Sequence, residues 1–106
     1  MKKGDIILVP FPFTDLTELK TRPALVLIST ELDVTVSFIT SQIKWQEPSD
    51  LRIEPDELNG LKKPSLIRLS KLATIEKKLV IGKLGMLMDS GLKQVNQELI
   101  KLFDLY

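Results

Sequence analysis

The chain has neither cysteine nor histidine. The first absence excludes disulfides, thiolate nucleophiles and the cysteine–histidine sites that hold zinc. The second removes the side chain most used for proton transfer near neutral pH, so any acid–base chemistry must use other groups. Glycines number only five, and no P-loop or dinucleotide pattern is built from them. No apolar run approaches the ~20 residues of a membrane-spanning helix. The opening MKKGD is not followed by the core of a signal peptide, because Pro10, Pro12 and Asp15 interrupt it. A cytoplasmic protein is therefore expected. Neither charge sign is in excess: the net charge of +1 argues against a bulk polycation for duplex DNA and leaves room for a local basic patch. The carboxylates Asp15, Glu18, Asp50, Glu54 and Glu57 are dispersed. No metal and no cofactor are expected from such spacing, and nothing in it supports carboxylate-pair glycosidase chemistry.

What is present is one domain of 106 residues, long enough to bury roughly two-thirds of its unfolded surface around one core. The stretch TRPALVLIS, Thr21 to Ser29, organises the rest. Pro23 biases Arg22 toward extended backbone. Ala24 to Ile28 is too short for a helix and too apolar for a half-exposed strand, so it reads as a strand covered on both faces. Arg22 thus stands at the mouth of the most buried strand. Two readings of it are open, a charge at the edge of the core and a functional cation.

Before this stretch, Asp5 to Val9 reads as a strand ended by Pro10, and PFPFTDLTELKT as an irregular loop with aromatic anchors. After it, Glu31 to Asp33 makes a turn into a third strand, Val34 to about Ile43. The two strands form an antiparallel hairpin. Counting outward from its centre brings Arg22 opposite Thr40, Ser41 or Gln42. Thr40 and Ser41 face opposite sides, so only one is expected to share a pocket with Arg22. Trp45 follows in a loop, a candidate for core or subunit packing and secondarily for a base-stacking platform or part of a partner site. Leu51 to Glu54 reads as a short strand, Pro55 to Lys63 as turns around Asn59-Gly60, and Pro64 to Ser70 as a strand. Arg68 within it is either a charge on a solvated face or a site residue. Lys71 to Leu79 is expected to turn with a short strand or a helical turn, and Val80 to Met88 to be a last strand that Gly82 and Gly85 bend or bulge. Asp89 and Ser90 are candidate N-caps of a helix reaching Phe103, whose stripe of Leu92, Val95, Leu99 and Leu102 must lie on the sheet. About five short, curled strands and a C-terminal helix give a mainly β fold, a small barrel. Its exposed edges suit a second copy.

Arginine with hydroxyls suits a phosphodiester. A guanidinium matches phosphate with bidentate, charge-assisted hydrogen bonds. In RNA the 2′-hydroxyl supplies the nucleophile, so the protein needs mainly to position the strand and stabilise transition-state charge. A chain without histidine or cysteine can do both.

Taken in order, GDIILVPF, TRPALVLIS, FITSQI, GLKKPSLIRLSKLATIEK and the closing helix resemble the MazF/PemK-like toxins of type II toxin–antitoxin systems. The resemblance spans nearly the whole chain. It implies an SH3-like barrel of the CcdB/PemK type with a C-terminal helix, a homodimer, and a metal-independent endoribonuclease. Such an enzyme cuts single-stranded RNA at short preferred sequences and leaves 2′,3′-cyclic phosphate and 5′-hydroxyl ends. It implies catalytic roles for Arg22 and Thr40, with Ser41 and Glu18 as further catalytic or positioning candidates. The expected RNA contacts are Lys20, Gln42, Arg68 and Ser70, the last standing where one branch of the family has an acid. An antitoxin chain is expected to cover the groove holding Arg22. Glycines that many members carry before the RPALV stretch are absent from TDLTELKT. The rival reading is a non-catalytic RNA- or protein-binding module of the same fold. A CcdB-like gyrase poison fits less well, because those toxins depend on a Trp-Gly-Ile ending and this sequence closes with FDLY.

Overall fold

Alternation of apolar side chains on two faces runs through the first three strands and determines how they bury. Val9, Ala24, Val26, Val34 and Val36 share one cluster, while Ile6, Leu25, Leu27 and Ile39 share another. In the computed structural model, which describes residues 1–11 and 20–106, these strands are β1 (Asp5–Phe11), β2 (Lys20–Ser29) and β3 (Asp33–Thr40). With β4 (Asp50–Ile53), β5 (Ser65–Glu76) and β6 (Gly82–Met86) they form one six-stranded sheet in the order β4-β5-β3-β2-β1-β6. Every pairing is antiparallel. A 14-residue helix, α1 (Asp89–Leu102), follows β6. Its Val95 is fully buried in the Leu25–Ile67–Leu69 cluster, and Leu99 and Leu102 pack on the same cluster. The chain is therefore mainly β with one C-terminal helix. Among the described residues no helix is long and apolar enough to cross a membrane.

Both faces of Ala24 to Leu27 are covered as expected, but Ile28 is 56% exposed. A register shift between Val26 and Ile28 turns it outward. β1 runs two residues past its expected end, through Pro10. The Leu8 carbonyl accepts from Ile81 on the β6 side. Pro10, two residues on, faces that same side after β6 has ended, so its missing N–H costs no ladder bond. The expected bulge at the glycines lies where β1 shifts register against β6, opposite Gly85 and Lys83.

Three expectations are corrected. The turn expected within Lys71 to Leu79, with a short strand or a helical turn, is confined to its end: β5 continues from Ser65 to Glu76, because Leu72 to Glu76 pairs with Asp33 to Ser37. Only Lys77–Leu79 forms a short 3-10 turn. Asp89 and Ser90 are the first residues of α1 and do not cap it; the cap position is Met88, which makes no side-chain cap bond. Trp45 does not close the core, being 77% exposed with Lys44 Nζ 5.5 Å above its ring.

Candidate active site

The β2–β3 hairpin pairs Ala24 with Phe38. Carried two residues further, that register brings Arg22 opposite Thr40, the first of the three expected partners. Alternation puts both on the side of Ala24 and Phe38, at the open end of the hairpin. There Arg22, Thr40 and Gln42 line a depression of about 450 Å³ together with Phe11, Phe38, Arg68 and Lys71. The rings of Phe11 and Phe38 meet edge to face, with centroids 5.6 Å apart. Ile7, Ala24, Phe38, Arg68 and Asp50 form a continuous row across five strands. The sheet itself thus fixes the spacing between the aromatic wall and Arg68.

Arg68 and Lys71 are three residues apart and would face opposite ways in a regular strand. The register of β5 against β3 jumps from Leu72 opposite Ser37 to Arg68 opposite Phe38. This bulge brings both cations to one depression. It leaves the Leu69 carbonyl beside the buried Ser37, whose hydroxyl donates to it at 3.2 Å. Ser37 thereby satisfies a main-chain acceptor that the interrupted ladder does not.

Arg22 is exposed and makes no ion pair among the described residues. Thr40 Oγ1 accepts the Gln42 backbone N–H at 3.1 Å. That bond fixes the hydroxyl as an acceptor toward its own chain and leaves its proton to donate outward. Arg68 differs from Arg22. It pairs with Glu47 and lies 3.5 Å from Asp50 Oδ1, with its own side chain 25% exposed and that of Asp50 fully buried. It is therefore neither a plain charge on a solvated face nor an open anion site.

Ser41 lines a second depression, of about 390 Å³, again with Arg22. The expectation that one hydroxyl or the other would share a pocket with Arg22 resolves differently. Arg22 stands between two depressions, with Thr40 in one and Ser41 in the other. The second is completed by Gly60, Lys62 and Lys63, which sequence reading left in a turn, and by Ser65 at the start of β5. Only the Lys-Lys pair signals them in the sequence, and nothing local ties it to Arg22. Lys20 and Ser70 are exposed and line neither depression. Glu18 lies outside the described residues, with most of TDLTELKT. Among the described residues, no group of three or more potential ligands that could hold a metal ion comes together.

The profile of the family described as PemK-like, MazF-like toxin of type II toxin–antitoxin system matches residues 2–103. No curated protein matches the chain. Among solved structures, the Mycobacterium tuberculosis toxin MazF-mt6 is similar with a TM-score of 0.76 and 22% identity, over 94% of this chain and 96% of that one. An endoribonuclease in complex with its cognate antitoxin, from a mycobacterial species, is similar with a TM-score of 0.77 and 16% identity, over 100% and 97%. A further M. tuberculosis toxin gives a TM-score of 0.70 at 21% identity, over 91% and 97%. At such identities these likenesses concern the fold.

Proposed function

The chain belongs to the PemK-like, MazF-like toxin family of type II toxin–antitoxin systems, and from that membership and the site at Arg22 we propose that it is a metal-independent endoribonuclease acting on single-stranded RNA. The observation that carries the reading is the placement of Arg22 and Thr40 on one depression, the guanidinium without a carboxylate partner among the described residues. The curled sheet is read as the SH3-like barrel of this family.

In the proposed reaction the 2′-oxygen attacks the adjacent phosphorus. A bond from the 2′-oxygen to phosphorus forms and the bond from phosphorus to the 5′-oxygen breaks. The 2′-proton leaves to a base, the departing 5′-oxygen gains a proton, and the products are a 2′,3′-cyclic phosphate and a 5′-hydroxyl. Arg22 binds the non-bridging oxygens and stabilises the charge that develops on them. Thr40 donates from its fixed hydroxyl and orients the phosphate for in-line attack. A guanidinium is a poor base, so proton abstraction falls to another group, for which Glu18 is the candidate. Ser41 serves the strand on the other side of Arg22. Gln42 contacts it beside Thr40, and Lys20, Arg68 and Ser70 are further proposed contacts. Arg68 must exchange a carboxylate for phosphate to act so. The chain works as a homodimer, and a cognate antitoxin covers the Arg22 depression, as the likeness to an antitoxin-bound endoribonuclease suggests.

The test is incubation of the purified protein with a long unstructured RNA in EDTA, with mapping of the cut ends. Discrete cuts with cyclic-phosphate ends are expected. Intact RNA after incubation with folded, antitoxin-free protein would overturn the nuclease reading in favour of a binding module.

A further inference from the structure

The second depression beside Arg22 is more firmly built than a surface turn requires. The segment leading into it is held by Asn59, which is buried. Its amide donates to the Glu54 carbonyl at 2.9 Å, and its oxygen accepts from the backbone N–H groups of Asp56 and Leu61. Gly60 follows at φ 72°, so close to β6 that a Cβ would lie 2.3 Å from the Leu84 carbonyl oxygen. After the two lysines, the Ser65 hydroxyl donates to the Lys63 carbonyl at 2.9 Å. Lys62 and Lys63 are thus carried by fixed backbone on both sides. Both are exposed, and neither makes an ion pair among the described residues.

Charge placement supports a polyanion there. The chain carries a net charge of only +1, yet among the described residues the two depressions that meet at Arg22 are lined by Arg22, Lys62, Lys63, Arg68 and Lys71 and by no carboxylate, and of these cations only Arg68 is in an ion pair, with Glu47 and Asp50. Lys83 and Lys101, elsewhere on the surface, pair with Asp5 and Glu98. The hydroxyls of Ser41 and Ser65 add polar groups to the same wall.

We propose that Lys62 and Lys63 form a second phosphate subsite, which holds a phosphate neighbouring the one on Arg22 as a single RNA strand crosses from one depression to the other. This rests on the reading that RNA binds at Arg22. It adds a built anchor on the far side of the scissile bond, one that sets the direction and register of the strand.

The test reads binding and not cleavage. Fluorescence anisotropy of a labelled, mixed-sequence 2′-O-methyl oligonucleotide, which cannot be cut, is measured across a salt series. The proteins are wild type, Lys62→Ala/Lys63→Ala, and a control pair Lys77→Ala/Lys78→Ala at the opposite end of the hairpin. Loss of one charge-assisted phosphate contact is expected to weaken binding about tenfold. It should lower the salt slope by about 0.7. The control pair should lose much less, and Lys62→Arg/Lys63→Arg should restore affinity. Equal losses in the two alanine pairs, or none, would overturn the subsite; unchanged RNA affinity would also assign this wall to another anion, such as an acidic peptide. Wild type that binds with the expected signature yet never cuts RNA would remove the nuclease reading and leave the subsite standing. Wild type that cuts RNA while the lysine pair binds normally would do the reverse.

Discussion

Arg22 and Arg68 line the same depression, yet their truncations should behave differently. Arg22 is exposed and leaves no buried group behind when removed. Arg22→Ala should change stability by less than about 0.5 kcal/mol while lowering the cleavage rate by about 10²- to 10³-fold, as loss of a transition-state donor does. Arg68→Ala leaves Asp50 with a fully buried carboxylate and no cation. Chemical denaturation should then show a loss of about 3 kcal/mol, so any fall in its activity mixes folding with chemistry. Thr40 offers a finer test. Thr40→Val keeps the branched shape and removes the hydroxyl, whereas Thr40→Ser keeps the hydroxyl. Single-turnover rates should fall in the first and largely survive in the second; equal rates would show that the hydroxyl plays no part. At this scale the sequence narrowed the residue opposite Arg22 to Thr40, Ser41 or Gln42, because a short turn sets a local register, and the β2–β3 register selects Thr40. The sequence was silent on the Arg68 ion pairs, because Glu47 lies in a loop whose path no local pattern specifies.

Among the elements, the strands with alternating apolar residues were legible and the ends were not. Lys71 to Leu79 reads as a turn with a short strand or a helical turn, yet as far as Glu76 it is held straight by the partner strand β3, and only Lys77–Leu79 turns. Long-range pairing overrode local composition there. The bulge that places Lys71 beside Arg68 has no local signature either, since it arises from the register of two strands distant in sequence. The start of α1 was misread because Asp89 and Ser90 are common cap residues, while the backbone turns helical one residue earlier than they imply. That gives a stabilising prediction. Met88 is exposed, extended and without a cap bond, so Met88→Ser should raise stability by about 1 kcal/mol, seen as a higher denaturation midpoint; no change would contradict the assigned cap position. The segment before Lys62 gives the converse. Asn59→Ala strands two backbone donors and one acceptor and should cost about 3 kcal/mol.

For the whole molecule, the curled sheet and its helix form a platform whose open hairpin end presents Arg22, and the family assigns the chain to toxins controlled by a partner protein. Several large apolar side chains are exposed in the single chain, among them Ile28, Leu32, Trp45 and Ile81. Sedimentation equilibrium should give the mass of a homodimer, and a strictly monomeric species would contradict the proposed assembly. The class of fold and the family were both legible from the ordered stretches of sequence. The meeting of Lys62 and Lys63 with Arg22 was not, because only the folded sheet brings the loop before β5 to the rim of β2.

The most direct measurement is single-turnover cleavage, in EDTA, of one RNA containing a single mapped site, by wild type and Arg22→Ala at equal and saturating concentration. The account predicts a cyclic-phosphate product from wild type, and from a fully folded Arg22→Ala a rate lower by about 10²-fold or more. Cleavage at the wild-type rate by the variant would contradict the placement of the chemistry at Arg22.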